Sequence, residues 1–291
     1  VVTAAPLSDN LRGSLLMVAA MAGFAVEDLF LKSAARSLPV GQVILTMGLG
    51  GVIVFALMAR RAGEPAFPAA FLSRAMLIRS GFEVAGRLFY SLSLALTTLS
   101  ATSAILQATP LVVVAGAALL FGERVGWRRW AAILLGFAGV LVILRPGLEG
   151  FTPLSLLAVA GMIGFAGRDL ATRAAPPGLS NRQLGVLGFA MLGLAGAVIL
   201  MLDKGPAHWP DGHAWLMLAG CTGFGIAAYH ALTRAMRTGE VSVVTPFRYT
   251  RLVFALILAV AFLGERPDLA TLAGSALIVA AGVYTLLRAR G

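Results

Sequence analysis

Met21-Ala-Gly-Phe-Ala-Val-Glu-Asp-Leu29 returns, 141 positions later, as Met162-Ile-Gly-Phe-Ala-Gly-Arg-Asp-Leu170. Met, Gly, Phe, Ala, Asp and Leu coincide in the two stretches, and Ala34 and Ala175 extend the match. A second echo closes each half. Leu120-Phe-Gly-Glu-Arg124 matches Phe262-Leu-Gly-Glu-Arg266, and Ala138-Gly-Val140 matches Ala281-Gly-Val283. Short apolar matches arise by chance, but two in register at nearly one offset do not, so the chain reads as an internal duplication.

The composition says where that duplication lives. Of 291 residues, 59% are hydrophobic and 12% charged, against about 45–50% and about 25% in soluble domains. So few charges cannot cover a compact body in water, and one cysteine excludes a disulfide scaffold. The net charge of +10 raises nucleic acid as a partner. Here, however, the basic residues fall singly or in pairs between long apolar runs, not on one solvated face with aromatics between. An all-α polytopic membrane protein is expected, with membrane lipid and no nucleic acid around it.

A crossing helix needs about 20 mostly apolar residues. Ten such spans are expected, at about 11–31, 41–59, 75–96, 101–121, 130–145, 152–172, 183–202, 214–235, 241–263 and 269–287. Arg60-Arg61-Ala-Gly-Glu-Pro65, Arg145-Pro146-Gly147, Pro176-Pro177-Gly178 and Gly205-Pro206 punctuate them. The first apolar run is long for a cleavable signal and lacks its small-residue site, so it is expected to remain as a span. With the N-terminus placed in the cytoplasm, 13 Lys and Arg fall inside and 5 outside, the positive-inside bias. Both termini are therefore expected in the cytoplasm. Trp127, Trp130, Trp209 and Trp215 flank loops, as interfacial anchors do.

Each half, 11–147 and 152–288, holds five spans. An odd number makes the second copy enter from the opposite side, giving two five-helix inverted-topology repeats. Secondary transporters are often built so, with a site near the midplane between the halves.

On the paired Leu/Phe-x-Gly-Glu-Arg endings, each followed by a glycine-bearing apolar helix, the chain resembles the drug/metabolite transporter superfamily, in its ten-helix branch with two EamA repeats. The resemblance covers about residues 11–288 and leans toward inner-membrane exporters of amino acids, aromatic ones included. Riboflavin and S-adenosylmethionine carriers share the repeats. It implies that the third, fourth, eighth and ninth helices line a central cavity, with the first, second, sixth and seventh around it. No cofactor or metal is expected, and a monomer is compatible with the sequence, which does not set the oligomeric state.

Ionisable groups at bilayer depth are costly unless paired or facing a cavity, so each is a functional candidate. Arg79, Glu83 and Arg87 share one face of the third span. Arg248 and Arg251 flank Tyr249 in the ninth, two deep arginines that need partners, for which Glu83 is a candidate, and Tyr229 and His230 lie in the eighth. Glu27 and Asp28 of the first span are mirrored by Arg168 and Asp169 of the sixth. A zwitterionic cargo needs a guanidinium, which Arg87, Arg248 or Arg251 would supply, and an acid, for which Glu83 is the candidate. Phe82, Phe89, Tyr90, Tyr229 and Phe247 are candidate walls. Glu83, Asp28, Asp169 and His230 are of the types that couple transport to protons. Against these stand blander readings. Arg79, Glu83 and Arg87 would then be an ion pair that merely makes the span insertable, and the Glu27/Asp28 and Arg168/Asp169 pairs would cap helix ends. Gly116, Gly136, Gly139, Gly274 and Gly282 are expected at close helix crossings, Pro110 and Pro246 at kinks, and Cys221 in the core.

An intramembrane enzyme is disfavoured. There is no His-Glu-x-x-His, no Gly-x-Ser-x-Gly, and only three histidines. A primary pump is disfavoured by the missing phosphate loop. A channel or scaffold explains the hydrophobicity but not the inverted repeat. The expectation is a carrier of small polar metabolites, amino acids first.

Overall fold

The computed structural model describes residues 8–96, 105–144, 153–202, 207–263 and 268–288. These form α1 (Asp9–Ala34), α2 (Val40–Arg61), α3 (Arg74–Leu96), α4 (Thr109–Phe121), α5 (Trp127–Leu144), α6 (Ser155–Arg173), α7 (Asn181–Leu202) and α8 (Gly212–Arg237). A ninth span runs in three pieces, α9 (Val241–Val244), a 3-10 segment Thr245–Tyr249 and α10 (Thr250–Leu263), and α11 (Leu269–Arg288) is the tenth. Among the described residues there is no strand. The breaks at 145–147 and 205–206 and the second Gly-Glu-Arg lie outside the described residues.

Local chemistry sets the ends. Ser8 Oγ accepts from the Leu11 N–H at 3.3 Å, and Asp211 Oδ1 from the Ala214 N–H at 2.7 Å, so α1 and α8 start on side-chain caps. Gly122, at φ 67, closes α4 in the left-handed conformation that only glycine adopts cheaply. The ninth span, expected as one stretch with a kink at Pro246, is broken there into three pieces. Pro246 has no N–H to give, and the chain tightens there into 3-10 geometry.

Five spans, α1, α2, α7, α8 and 241–262, are long and apolar enough to cross a bilayer by length and composition. α3 and α6 fall short of that measure because they carry the buried charges. Their charges face inward, while Leu49, Ile53, Leu119 and Leu216 point outward, as lipid contact requires.

The principal helix pairs are α1 with α8, α3 with α6, α2 with α7, and α5 with α11. Exchange the halves, span one for six and so on, and α1–α8 becomes α6–α3, while the other two pairs map onto themselves. The packing thus has the pseudo-twofold symmetry of an inverted repeat. At the self-mapped crossings backbone meets backbone: a Cβ on Gly48 would lie 2.3 Å from Gly193 Cα, and one on Gly139 2.7 Å from the Gly274 carbonyl. Only glycine permits so close an approach. Gly116, Gly136 and Gly282 likewise abut Leu170, Tyr249 and Phe247. Cys221 is buried in the core.

Candidate functional site

Charges that far from water need partners, and the structure supplies them across four spans. Arg168 of α6 donates to Glu83 of α3 at 3.0 Å and to its neighbour Asp169 at 2.9 Å. The other oxygen of Asp169 takes Arg248 of the 3-10 segment. Tyr229 of α8 donates to Glu83 at 3.1 Å and accepts from Arg79, whose Nε donates to Thr172 at 3.0 Å. The result is an alternating row, Arg79, Glu83, Arg168, Asp169, Arg248. Arg79 and Asp169 are each 1% exposed, so this row is sealed.

A second pair stands apart. Arg251 of α10 holds Asp28 of α1 by donating from Nε at 3.0 Å and from Nη2 at 2.6 Å. Its partners are 38% and 50% exposed, open where the first row is closed.

A cavity of about 40 Å³ lies beside the row. Phe24 and Glu27 of α1, Glu83 and Arg87 of α3, Arg168 of α6, Gly188, Phe189 and Leu192 of α7, and Gly225 and Tyr229 of α8 line it. The resemblance implied walls from the third, fourth, eighth and ninth helices. This cavity instead takes spans one, three, six, seven and eight. Arg87 lies over the Phe165 ring, 5.9 Å from its centroid, and its Nε has no hydrogen-bond partner. It is the one arginine of the central charge set that forms no ion pair among the described residues.

The sequence candidates therefore separate. Glu83, Arg87 and Tyr229 meet at the cavity. Tyr90 stands behind it, edge-on to Phe165 at 6.0 Å. Arg248 belongs to the sealed row and Arg251 to the open pair. Neither pairs with Glu83, the partner the sequence suggests. Asp169 and Arg168, weighed as helix-end caps, sit instead at the centre of the row. Arg79, Glu83 and Arg87 are not simply an intrahelical pair: Arg79 and Glu83 lie 3.7 Å apart, longer than the bond from Arg168. His230 is half-buried, with its ring 6.2 Å from Phe55 and Nδ1 unpartnered, and the cavity lining omits it. Among the candidate walls, Phe82 packs on Gly167, Phe247 on Gly282, and Phe89 is exposed. Phe24, Phe189, Gly188 and Gly225 were missed, since apolar residues in an apolar helix carry no signal of which face meets the cavity. Glu27 was noticed but not placed there. No group of His, Cys, Asp and Glu able to hold a metal occurs among the described residues.

At the end of the bundle where α1 begins, polar contacts tie the helices. Glu123, directly after Gly122, accepts from the Val241 and Ser242 N–H groups at 3.1 Å each. This caps the start of the ninth span and gives the first Gly-Glu-Arg a physical role. Arg129 pairs with Glu240, which also receives Asn10, and holds the Glu240 carboxyl below the usual carboxylate range. Arg182 and Ser180 do the same for Glu64. A shallow polar cleft of about 530 Å³ opens here between Arg12, Arg173 and Arg237.

Two symmetry-related five-span halves packed around a charged cavity define a multi-pass membrane transporter fold. The chain belongs to the EamA-like transporter family, whose model matches residues 11–145 and again 152–287. It is 28% identical to the S-adenosylmethionine uptake transporter of Rickettsia felis over 181 residues, 61% of this chain and 59% of that one. The chain thus spans about three-fifths of that relative's length. It is 28% identical to the pseudopaline exporter CntI of Pseudomonas aeruginosa over 285 residues, 92% of this chain and 94% of that one. It is 29% identical to the riboflavin transporter of Vibrio cholerae over 177 residues, 60% and 58% of the two chains. A crystal structure superposes on 96% of the chain and 97% of its own with TM-score 0.77 at 23% identity, a likeness of fold alone. Family and relatives are transporters, not enzymes.

Proposed function

We propose that the protein is a secondary transporter that moves small polar metabolites across the bacterial inner membrane by alternating access, with both termini cytoplasmic. Amino acids, aromatic ones included, are the favoured cargo. The observation that carries this reading is Arg87, a guanidinium without a carboxylate, facing a cavity walled by Phe24, Phe189 and Tyr229. A cargo carboxylate supplies the missing partner, and an apolar side chain suits the rings. Tyr229 and Glu83 border the cargo, Tyr90 backs it, and Arg248 and Arg251 hold the surrounding helices. At about 40 Å³ the cavity has room for a few waters only. Cargo therefore enters by parting the helices, as rocking of one half against the other requires.

The relatives named for S-adenosylmethionine and riboflavin support a second reading, a carrier of nucleotide-like metabolites. Uptake and efflux of labelled phenylalanine, S-adenosylmethionine and riboflavin in proteoliposomes separate the two. Movement of phenylalanine is expected. Transport of riboflavin or S-adenosylmethionine without any amino acid would replace the first reading by the second.

A further inference from the structure

Three arginines from three spans converge on the polar cleft at the end of the bundle where α1 begins. Arg12 stands in the first turn of α1, and Arg173 and Arg237 are the last residues of α6 and α8. Guanidinium groups gathered on one concavity repel one another unless an anion lies between them. The chain supplies little of that anion itself. At this end Arg129 is paired with Glu240 and Arg182 with Glu64, whereas Arg12, Arg173 and Arg237 have no ion pair among the described residues. Arg237 is aimed but not neutralised: its Nη1 donates to the Leu179 carbonyl at 2.8 Å and to Asn181 Oδ1 at 2.9 Å, both uncharged. Two acids border the cleft. Glu240 is engaged by Arg129 and Asn10, and acts on Arg173 without touching it. That leaves Asp9 against three arginines, an excess of two positive charges.

The floor of the cleft is closely fitted. The Glu240 N–H donates to Asn10 Oδ1 at 2.8 Å, and a Cβ on Gly239, at φ 70, would meet that same oxygen at 2.7 Å. A Cβ on Gly13 would lie 2.6 Å from the Thr238 carbonyl oxygen. The turn after α8 is thus seated on the first turns of α1, which brings Arg12 to the same cleft as Arg237. The rim meets the bilayer. Arg12, Leu15 and Ala19 share a face of α1 and are all exposed, so the cleft opens where an apolar, lipid-facing stripe gives way to charge.

We propose that this cleft binds a phosphate group, held by Arg12, Arg173 and Arg237. Phosphate oxygens match the planar guanidinium fork, and a phosphate group carries up to the two negative charges that the cleft lacks. Basic pockets between spans at a membrane surface take phospholipid headgroups. A cleft of about 530 Å³ admits such a headgroup or a free phosphorylated solute. The two sources share one chemistry and differ in their route, from the bilayer past Leu15 or from water. α1 belongs to the first half of the molecule and α6 and α8 to the second, so one bound phosphate ties the halves together at this end. The site stands apart from the central cavity and holds whichever cargo that cavity carries.

Wild-type protein and Arg12→Gln/Arg173→Gln test it. Neither arginine has an ion pair to lose, so the two proteins should melt alike in dodecyl maltoside, a detergent without phosphate. Reconstituted in nanodiscs of phosphatidylcholine and phosphatidylglycerol in equal parts, the wild type should retain phosphatidylglycerol in native mass spectrometry. Retention should fall about 10–50-fold in the double variant. Arg12→Gln alone, at an exposed position, should lose about fivefold and serves if the double variant is unstable. In dodecyl maltoside at constant ionic strength, glycerol 3-phosphate should raise the wild-type melting temperature, and acetate should not. Retained lipid without a response to glycerol 3-phosphate upholds the site and assigns it to headgroups. A response without retained lipid upholds it and assigns it to solutes. No binding of either by the wild type, equal binding by wild type and variants, or an equal response to acetate would overturn the proposal.

Discussion

Asp28 and Asp169 hold the same place in the two copies of the repeat, and each grips an arginine of the ninth span, Arg251 and Arg248, one turn apart. The ninth span is thereby pinned to both halves at once. The two grips differ in surroundings: Asp169 is sealed, while Asp28 is half exposed. Removing one partner of a sealed pair strands a buried charge at about 3–5 kcal/mol. Loosening an exposed pair costs about 0–1 kcal/mol. Asp169→Asn is therefore expected to lower the detergent melting temperature sharply, and Asp28→Asn to leave it nearly unchanged while altering transport. Equal shifts in the two melting curves would refute the distinction.

Arg87 has no ion-pair partner to lose, only its place over the Phe165 ring. Arg87→Ala should leave the melting temperature in place and raise KM for a carboxylate-bearing cargo by about 10–100-fold, the worth of a charge-assisted hydrogen bond. Transport kinetics beside a thermal melt make the comparison. An unchanged KM would remove Arg87 from the binding site.

Gly188 supports Tyr229 closely. A Cβ there would lie 1.9 Å from the phenolic oxygen that bridges Arg79 and Glu83. Gly188→Ala should cost about 1–3 kcal/mol through overpacking and impair transport. Tyr229→Phe, which adds no atom, separates the lost bridge from the crowding. A Gly188→Ala protein with wild-type melting would show that the ring yields freely.

Glu240 and Arg129 form their pair outside the bilayer, where pH acts directly. Arg129 lowers the Glu240 carboxyl below its ordinary range. Such a group contributes stability fully above the unfolded carboxylate value of about 4.3 and loses it as pH falls through the lowered folded value. Acid, not alkali, should therefore loosen this end of the bundle. Hydrogen exchange at the amide of residue 240, which donates to Asn10 Oδ1 at 2.8 Å, is the measurement. The acid-induced rise should be smaller in Glu240→Gln, which has already lost that pair. An equal rise in both proteins would exonerate Glu240.

Glu83→Gln strands Arg168 in the sealed row, so it is expected to lower the melting temperature as well as abolish transport. Arg251→Ala, in the open pair, is expected to abolish transport while folded protein reaches the membrane. Size-exclusion profiles alongside vesicle uptake decide it, and normal uptake in both would make these charges structural.

The architecture was legible because it depends on long apolar runs and on a repeat, both of which survive in one dimension. Which charges pair was not. Glu83 was given Arg248 or Arg251 as a partner, yet Arg168 reaches it, because α3 packs on α6 and that pairing depends on Gly86 meeting Gly164. Gly225 was silent for a similar reason. A glycine among many in an apolar helix acquires meaning only when the carboxyl it faces, here that of Glu27, is known.

The crossings at Gly48 with Gly193 and at Gly139 with Gly274 lie where the molecule's halves map onto themselves. Interlocked side chains would have to unthread before one half could turn against the other. At the glycine contacts backbone lies on backbone, but on the same α2–α7 face Phe189 seats against Gly51 and Phe55 against Gly185. The α2–α7 crossing therefore has a pivot at the glycines and ring-in-notch keys beside it that hold its register along the helix axes.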